Sequence, residues 1–308
     1  YVGMDDFQVR LTQDGVVQVV SSASGVSTDG KNTITVKDDV TAIGLLKADS
    51  TSTTLLDGSM FTLTGTFADG NTSKTLSPTE TKVATLFHQL IASTSDDDKT
   101  YTYTLTETVP PEGYQVSMAP KTLRITARGV LQEKVDGTWK DVADDLNLLE
   151  VPDEQNSVGL VKTDTDGTTR LSGATYTVSG TFAGETTAGK KTLTSAVDSV
   201  SQLTGALVAD RDYTITETTP APGHTLSSLA ASYTDAALTD GAMTIRMSAA
   251  GELSYKIASG ADTWAPVGQD NVFEFKDAQT SFTIAKCDQT GTDKIDGSTF
   301  SITPATGT

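Results

Sequence analysis

The chain has 308 residues and a net charge of −18, from 22 basic and 40 acidic side chains. This balance argues against nucleic acid as a partner, because phosphate contacts need clustered Lys and Arg, and it also disfavours anionic membranes. No run of about 18 apolar residues is present to span a bilayer, so we expect no membrane insertion in this segment.

Threonine and valine are abundant, and no long stretch keeps a helical period, so we expect an all-β protein of extracellular type. Three related segments recur in chain order: AIGLLKAD at 42–49, SVGLVKTD at 157–164 and SFTIAKCD at 281–288. Each is followed by a turn of small residues and then by an apolar alternation, at 61–63, 176–178 and 300–302. The period of two in these alternations predicts half-buried strands.

These copies divide the chain into repeats. We expect 1–40 to be the C-terminal part of one repeat, 41–156 and 157–280 to be complete domains, and 281–308 to open a further repeat. The distance from lysine to lysine, 115 residues from Lys47 to Lys162 and 124 from Lys162 to Lys286, is a common domain size. We therefore expect the chain to be a piece of a longer array.

Two segments in the least similar part of the repeats have an ambiguous pattern. Residues 81–91 and 196–207 have apolar spacings that fit either a few helical turns or a strand. The sequence leaves this choice open.

A lysine, a glutamate and an aspartate recur in the same order in both complete repeats. The first set is Lys47, Glu107 and Asp153, and the second is Lys162, Glu217 and Asp277. Nine positions separate each aspartate from the next lysine, in the pairs Asp38–Lys47, Asp153–Lys162 and Asp277–Lys286. Asp38 and Lys286 lack the rest of their sets, so we expect them to be unreacted.

These three residue types are sufficient to form an amide cross-link. An amine attacks a carboxyl carbon when the amine is neutral and the carboxyl is protonated, and burial favours both of these uncharged forms. A second carboxyl can carry the proton from the amine to the departing oxygen. The chain has a single cysteine, which excludes an intrachain disulfide, so another cross-link would be its only covalent brace.

The glutamate strands resemble a known family. YTLTETVPPEGY at 103–114 and YTITETTPAPGH at 213–224 are similar to the E-box of Cna B-type (SpaA-like, prealbumin-like) domains of Gram-positive surface adhesins and pilins. His224 stands where that family usually has Tyr. The resemblance implies tandem Ig-like (reverse-Ig) β-sandwich domains in a rod, with isopeptide bonds between a first-strand Lys and a last-strand Asn or Asp, assisted by Glu.

The resemblance also implies a role and a location. We expect a stalk region of a cell-wall-anchored surface protein, whose partners are its neighbouring repeats and a host extracellular-matrix protein. The alternative is an adhesive module that binds such a ligand through the variable insertions 68–100 and 181–211. An enzyme is not expected beyond the self-formed amide, because no catalytic set stands outside the repeats.

Several alternatives at the cross-link can be weighed within the chain. Asn156 is a weaker acceptor candidate than Asp153, because the other copies have Thr41 and Thr280 at its position. A Thr–Gln ester at Gln155 or Gln279 is weakened by the valine at the matching position of the first copy. The sequence also offers walls for a dry pocket, although ordinary core packing explains them as well: Phe61, Tyr103, Leu105, Tyr176, Tyr213 and Ile215.

We expect neither a metal nor a cofactor. The segment 164–167 resembles part of a calcium loop, but Lys162 and Gly173 occupy its first and twelfth ligand positions. The acidic run 96–98 is more typical of an exposed loop than of a cation site. His88 and His224 have no His or Cys companions at metal spacing.

Overall fold

The computed structural model describes residues 6–21, 25–78, 83–93, 101–142, 147–260 and 262–303. Its regular structure is β-strand apart from two short 3₁₀ helices, Leu229–Ala231 and Gln269–Asn271. The all-β class predicted from the sequence is therefore confirmed. Within the described ranges, no helix has the length and apolar character needed to cross a membrane.

The N-terminal residues form two small hairpins. Strand β1 (Val9–Leu11) pairs antiparallel with β2 (Val17–Val19), and β3 (Val26–Thr28) pairs with β4 (Ile34–Val36). All of these strand residues are exposed or half-buried, so the hairpins enclose no core of their own.

The described residues between 42 and 155 form two sheets. One sheet has the order β10-β14-β5-β8 and the other has the order β13-β12-β11-β9-β6-β7. The strands are β5 (Ala42–Asp49), β6 (Met60–Thr64), β7 (Ser73–Leu76), β8 (Val83–Phe87), β9 (Tyr103–Val109), β10 (Tyr114–Gln115), β11 (Lys121–Ile125), β12 (Leu131–Val135), β13 (Thr138–Asp141) and β14 (Leu148–Gln155).

Residues 157–277 repeat this arrangement. One sheet has the order β18-β15-β24, and the other has the order β17-β16-β19-β21-β22-β23 with β20 paired to β21. The strands are β15 (Ser157–Asp164), β16 (Thr175–Gly180), β17 (Gly189–Thr194), β18 (Ser201–Thr204), β19 (Asp212–Thr219), β20 (Leu238–Thr239), β21 (Ala242–Met247), β22 (Leu253–Lys256), β23 (Trp264–Pro266) and β24 (Val272–Asp277).

Each repeat has its own hydrophobic core between its two sheets. In the first repeat, Leu45 of β5 and Val151 of β14 pack in one cluster with Phe61 of β6 and Leu105 of β9. In the second repeat, Leu160 of β15 and Ile215 of β19 belong to a separate cluster. Buried residues alternate with more exposed ones along β6, β9 and β19, as the period of two predicts, whereas β5 and β15 are buried along most of their length.

The first and last strands of each repeat lie side by side and parallel. In the first repeat β14 pairs with β5, so that Val151 is opposite Lys47. In the second repeat β24 pairs with β15, and Phe275 is opposite Lys162. Side chains two residues apart point to the same face of a strand, so the aspartate that follows each partner by two positions faces the core beside the lysine.

Two of the suggested pocket walls have another structural role. The Tyr103 hydroxyl accepts a hydrogen bond from Ile91 N (2.7 Å) and donates one to Thr66 O (3.0 Å). Tyr213 makes the matching pair of bonds in the second repeat, from Val208 N (2.8 Å) and to Thr181 O (2.9 Å). These tyrosines therefore anchor loop backbone by their hydroxyls.

A glycine makes room for each of these tyrosine rings. A Cβ atom built on Gly65 would lie 2.6 Å from Tyr103 Cδ1, and one on Gly180 would lie 2.3 Å from Tyr213 Cδ1. No side chain fits at these distances, so close approach of backbone and ring explains why glycine occupies both positions.

Each of the two ambiguous segments contains a short strand, and residues 81 and 82 lie outside the described ranges. Strand β8 lies within 81–91 and β18 lies within 196–207, and each is the edge strand next to the lysine strand of its repeat. The strand predicted at 300–302 is wrong. These residues have no strand pairing within the described structure, and Phe300 and Ile302 are exposed.

Asn156 lies at the joint between the two repeats. Its backbone N–H donates to Gly113 O (3.0 Å), and its backbone oxygen accepts from Gly205 N (2.8 Å). Its side-chain Nδ2 donates to Leu207 O at 2.6 Å. One fully buried residue thus hydrogen bonds to loops of both repeats.

Glu112 adds a second contact across this joint. Its carboxylate accepts a hydrogen bond from the backbone N–H of Gly184 (3.0 Å) and pairs with Arg211 (2.9 Å). Glu112 belongs to the first repeat and both partners to the second. Pro222 occupies the matching position in the second repeat, so this contact is particular to the joint at Asn156.

Candidate functional site

The structure brings Lys47, Glu107 and Asp153 together inside the first repeat, where we call them the first cluster. Lys47 Nζ lies 2.6 Å from Asp153 Oδ1 and 2.9 Å from Glu107 Oε2. All three side chains are fully buried. The residues that the sequence paired therefore meet without access to water.

Both sheets contribute to the first cluster. Lys47 on β5 and Asp153 on β14 come from one sheet, and Glu107 on β9 comes from the sheet that packs against it. Phe61 lies opposite Glu107 in the β6–β9 register, and its ring centroid is 5.5 Å from Lys47 Nζ. The cluster is therefore part of the hydrophobic core.

Lys162, Glu217 and Asp277 form the second cluster, at the same place in the second repeat. Lys162 Nζ lies 2.7 Å from Asp277 Oδ1 and 3.1 Å from Glu217 Oε1. These side chains are at most 2% exposed. The two repeats thus present the same three groups with nearly the same distances.

The two clusters differ in a fourth partner. In the first, the backbone N–H of Ser117 donates to Asp153 Oδ1 at 3.2 Å. In the second, Lys162 Nζ donates to the Tyr176 hydroxyl at 2.8 Å, and among the described residues Asp277 has no backbone donor like Ser117, only its ion pair with Lys162. In the sequence, the only sign of the Tyr176 contact is that the second repeat has a tyrosine where the first has Phe61. Nothing in the sequence indicates the Ser117 contact.

Burial controls the ionisation of the carboxyls. It raises the pKa of Glu107 to about 7, against the lowering effect of the adjacent Lys47. Burial also raises the pKa of Asp153 and of Glu217, and in each case the neighbouring lysine opposes the rise. Carboxyls in this state hold a proton more readily than they would in water.

Each cluster contains two carboxyls and one amine, so full ionisation would leave one buried negative charge. Within the described structure, three carboxyl oxygens also have neither a hydrogen bond nor an ion pair: Glu107 Oε1, Asp153 Oδ2 and Asp277 Oδ2. Buried polar atoms without partners are costly. An arrangement that shares protons or loses a carboxyl oxygen relieves this cost.

The geometry suits amide formation. An amine nitrogen 2.6 or 2.7 Å from a carboxyl oxygen is also in contact range of the carbon bonded to that oxygen. The glutamate is within hydrogen-bond distance of the same nitrogen, as a proton carrier must be. Fixed positions of this kind give large effective concentrations of the reacting groups.

The other candidates lie elsewhere. Asp38 and Lys286 are exposed and take part in no ion pair within the described ranges. Asn156 is engaged at the joint, and Gln279 Nε2 donates to Asp164 Oδ2 at 2.6 Å. Of the residues described, no group of His, Cys, Asp and Glu is arranged to hold a metal. The acidic run 96–98 and part of the insertion 68–100 are outside those residues.

Fold and site together define an all-β repeat protein in which each repeat encloses a Lys–Glu–Asp cluster between two sheets. Residues 41–139 match the family model of the SpaA prealbumin-like fold domain. The resemblance predicted from the glutamate strands is therefore confirmed for this segment. No curated protein sequence matches the chain.

The solved structures that this chain resembles have low sequence identity to it and low TM-scores. The C-terminal fragment of the pilus adhesin SpaC from Lactobacillus rhamnosus GG is 19% identical with a TM-score of 0.36, covering 80% of this chain and 100% of the fragment. SpaC in its open conformation is 16% identical with a TM-score of 0.34, covering 90% of this chain and 34% of SpaC. The shaft pilin SpaA from the same organism is 14% identical with a TM-score of 0.27, covering 80% of this chain and 100% of SpaA. The chain thus spans about a third of the SpaC structure.

Proposed function

We propose that the chain is a stalk region of a Gram-positive surface adhesin or pilin, stiffened by two self-formed isopeptide bonds. One bond joins Lys47 to Asp153 and the other joins Lys162 to Asp277. The observation that carries this proposal is the contact of each lysine Nζ with its aspartate, at 2.6 and 2.7 Å, inside a dry core. In this scheme 41–156 and 157–280 are the two bonded domains.

The reaction requires a neutral lysine amine and a protonated aspartate. The lysine nitrogen attacks the aspartate carbon, and the ionised glutamate takes a proton from the nitrogen. The same glutamate then gives this proton to the aspartate hydroxyl, which leaves as water when its C–O bond breaks. An amide remains, and Glu107 or Glu217 ends as it began. No cofactor or metal enters the balance.

The product explains why a costly cluster is retained. An unreacted ion pair in a core needs several kcal/mol of compensation for each desolvated ion. The amide removes the lysine charge and the aspartate charge together. Formation of the bond therefore stabilises the folded repeat as well as closing it.

The surface location rests on the match of residues 41–139 to the SpaA prealbumin-like fold domain and on the two E-box segments. The neighbouring repeats are the partners proposed for each domain, and the contacts of Asn156 and Glu112 support this. Anchoring to the cell wall belongs to the same proposal.

Intact-mass spectrometry tests the bonds. We expect the unmodified chain to lack the mass of two water molecules, and the Glu107→Ala chain to lack only one after correction for the substitution. Protease fragments of the unmodified chain should contain Lys47 and Asp153 in one branched species.

Glu133→Ala is the matched control. Glu133 Oε1 lies 2.7 Å from Lys121 Nζ in the same repeat, but these side chains are 21% and 26% exposed. We expect this chain to lose two waters like the unmodified protein. If the unmodified chain has the mass calculated from its sequence, with no loss of water, the cross-links are refuted.

A further inference from the structure

The second cluster contains a hydroxyl that the first cluster lacks. Tyr176 on β16 is fully buried, and its ring stacks on Phe275 with centroids 4.9 Å apart and an interplanar angle of 13°. It lies opposite Glu217 in the β16–β19 register. The hydroxyl is thereby fixed 2.8 Å from Lys162 Nζ.

We propose that Tyr176 is a fourth catalytic residue of the second cluster, whose hydroxyl orients the Lys162 amine toward Asp277. This inference rests on the proposed isopeptide bond. The inference adds to the proposed bond a residue that directs the attacking nitrogen. It also means that the two repeats form the same kind of bond with different assisting groups.

The number of N–H groups on a neutral amine determines which neighbour of Lys162 its lone pair can face. A neutral amine has two N–H groups and one lone pair, and Lys162 has three neighbours within 3.1 Å: Tyr176, Glu217 and Asp277. The tyrosine oxygen accepts one N–H and the Glu217 carboxylate accepts the other. The lone pair is then left to point at the Asp277 carboxyl.

The first cluster uses a different fourth group. Lys47 Nζ lies 5.5 Å from the centroid of the Phe61 ring, much as Lys162 Nζ lies 5.4 Å from that of Tyr176, but Phe61 has no hydroxyl to accept an N–H from the amine. Its acceptor is instead held by the Ser117 N–H on Asp153 Oδ1. That bond draws electrons from the carbon under attack. One repeat thus assists the acceptor and the other assists the nucleophile.

The hydroxyl also acts on Glu217. Burial raises the pKa of Tyr176 and the negative charges of Glu217 and Asp277 raise it further, so the phenol keeps its proton throughout the reaction. Burial raises the pKa of Glu217 too, whereas Lys162 and, to a smaller extent, the Tyr176 hydroxyl lower it. The charged and titratable groups that face Tyr176 are Lys162 on β15, Glu217 on β19 and Asp277 on β24. Loss of the hydroxyl should therefore raise the pKa of Glu217. This carboxyl would then stay protonated up to a higher pH and could not act as the base there.

The test compares Tyr176→Phe with the unmodified full-length chain. Unfolded, unbonded protein recovered from inclusion bodies is diluted into buffers between about pH 5 and pH 9, and each bond is timed separately by mass spectrometry of protease fragments. We expect the Lys162–Asp277 bond to form roughly 3- to 10-fold more slowly, as loss of one buried neutral hydrogen bond predicts. We also expect the acid limb of its pH profile to move to higher pH.

The Lys47–Asp153 bond of the same molecule is the internal control for folding, and its rate should not change. Phe61→Tyr is the converse variant, and it should move the acid limb of the first bond to lower pH. An unchanged rate and profile in Tyr176→Phe would refute the role of the hydroxyl, as would a slower rate with no shift of the limb or an unshifted profile in Phe61→Tyr.

Different results would refute the role of Tyr176 and the proposed function on which it rests. If the unmodified chain forms no Lys162–Asp277 bond at any pH, the proposed function is wrong. If it forms the bond and Tyr176→Phe forms it identically, only the role of Tyr176 is wrong.

Discussion

At the scale of single residues, each cluster is a charge imbalance inside a core. Lys47 can neutralise one of its two carboxyl neighbours, and the other must hold a proton or remain a buried anion. Burial and, to a smaller extent, the negative charge of Asp153 raise the pKa of Glu107 to about 7 in spite of Lys47. Removal of the lysine without its carboxyls should therefore expose the imbalance as a dependence of stability on pH.

We expect Lys47→Met to fold better in acid than at neutral pH. The folded pKa of Glu107 is above its ordinary value of 4.5, so its contribution is fully present below pH 4.5 and is lost as the pH rises through about 7. That shift corresponds to about 3 kcal/mol, and without Lys47 it should be larger. Urea titrations at about pH 5 and pH 8 measure the change in the free energy of unfolding.

The double variant Lys47→Met/Glu107→Gln separates the two carboxyls. It should retain only the pH dependence that Asp153 contributes, because burial raises the pKa of that carboxyl too. If Lys47→Met has the same free energy of unfolding at both pH values, the buried carboxyls do not carry the strain that we assign to them.

At the scale of strands, the parallel pairing of first and last strands determines what the bond achieves. Lys47 on β5 and Asp153 on β14 are neighbours in space but 106 positions apart in the chain. An amide between them closes nearly the whole repeat into one loop. By the chain-entropy model for disulfides, a loop of this length adds about 4 to 5 kcal/mol.

Asp153→Ala should therefore lower the free energy of unfolding of the first repeat by about 4 to 5 kcal/mol. The second repeat has a separate core and its own proposed bond, so its transition should not move. Differential scanning calorimetry resolves the two transitions. Glu154→Ala is the control, because Glu154 is the next residue of β14 and is exposed. Equal transitions in Asp153→Ala and Glu154→Ala would show that no covalent tie was lost.

Much of this strand arrangement was predictable because the chain contains copies of itself. The alternation around Glu107 predicted its strand, and the recurrence of Lys47 and Asp153 at matching positions predicted a shared site. Residues 81–91 were not predictable, because a short edge strand is bounded by only one neighbour and its apolar spacing also fits a helix. The strand expected at 300–302 has the right pattern, but these residues are unpaired within the described ranges.

The fourth partners of the clusters were harder to predict, for a physical reason. Ser117 contributes a backbone N–H, which every residue except proline has, so its identity gives no signal. Tyr176 fits a core position as well as Phe61 does. Only the contact with Lys162 in the folded structure indicates that its hydroxyl has a role beyond core packing. Asn156 was considered as an acceptor, but the structure places it at the joint.

At the scale of the whole chain, two repeats with separate cores are connected by a short joint. Nine positions separate Asp153 from Lys162, and the fully buried Asn156 lies between them. The joint is held by hydrogen bonds and by the Glu112–Arg211 pair, which is 46% and 42% exposed and so contributes little. If the bonds form, the joints and not the domains are the extensible parts of the molecule.

Single-molecule stretching separates these parts. In the unmodified chain we expect no unfolding event of domain length, because the 106 positions from Lys47 to Asp153 are bypassed by the amide. In Asp153→Ala one new event should appear and release roughly 350 Å of chain, the extended length of that segment. Glu154→Ala, on the same strand, should behave like the unmodified chain. An event of this length in the unmodified chain would mean that force runs through the β5–β14 hydrogen bonds, and the stalk would then have no covalent path.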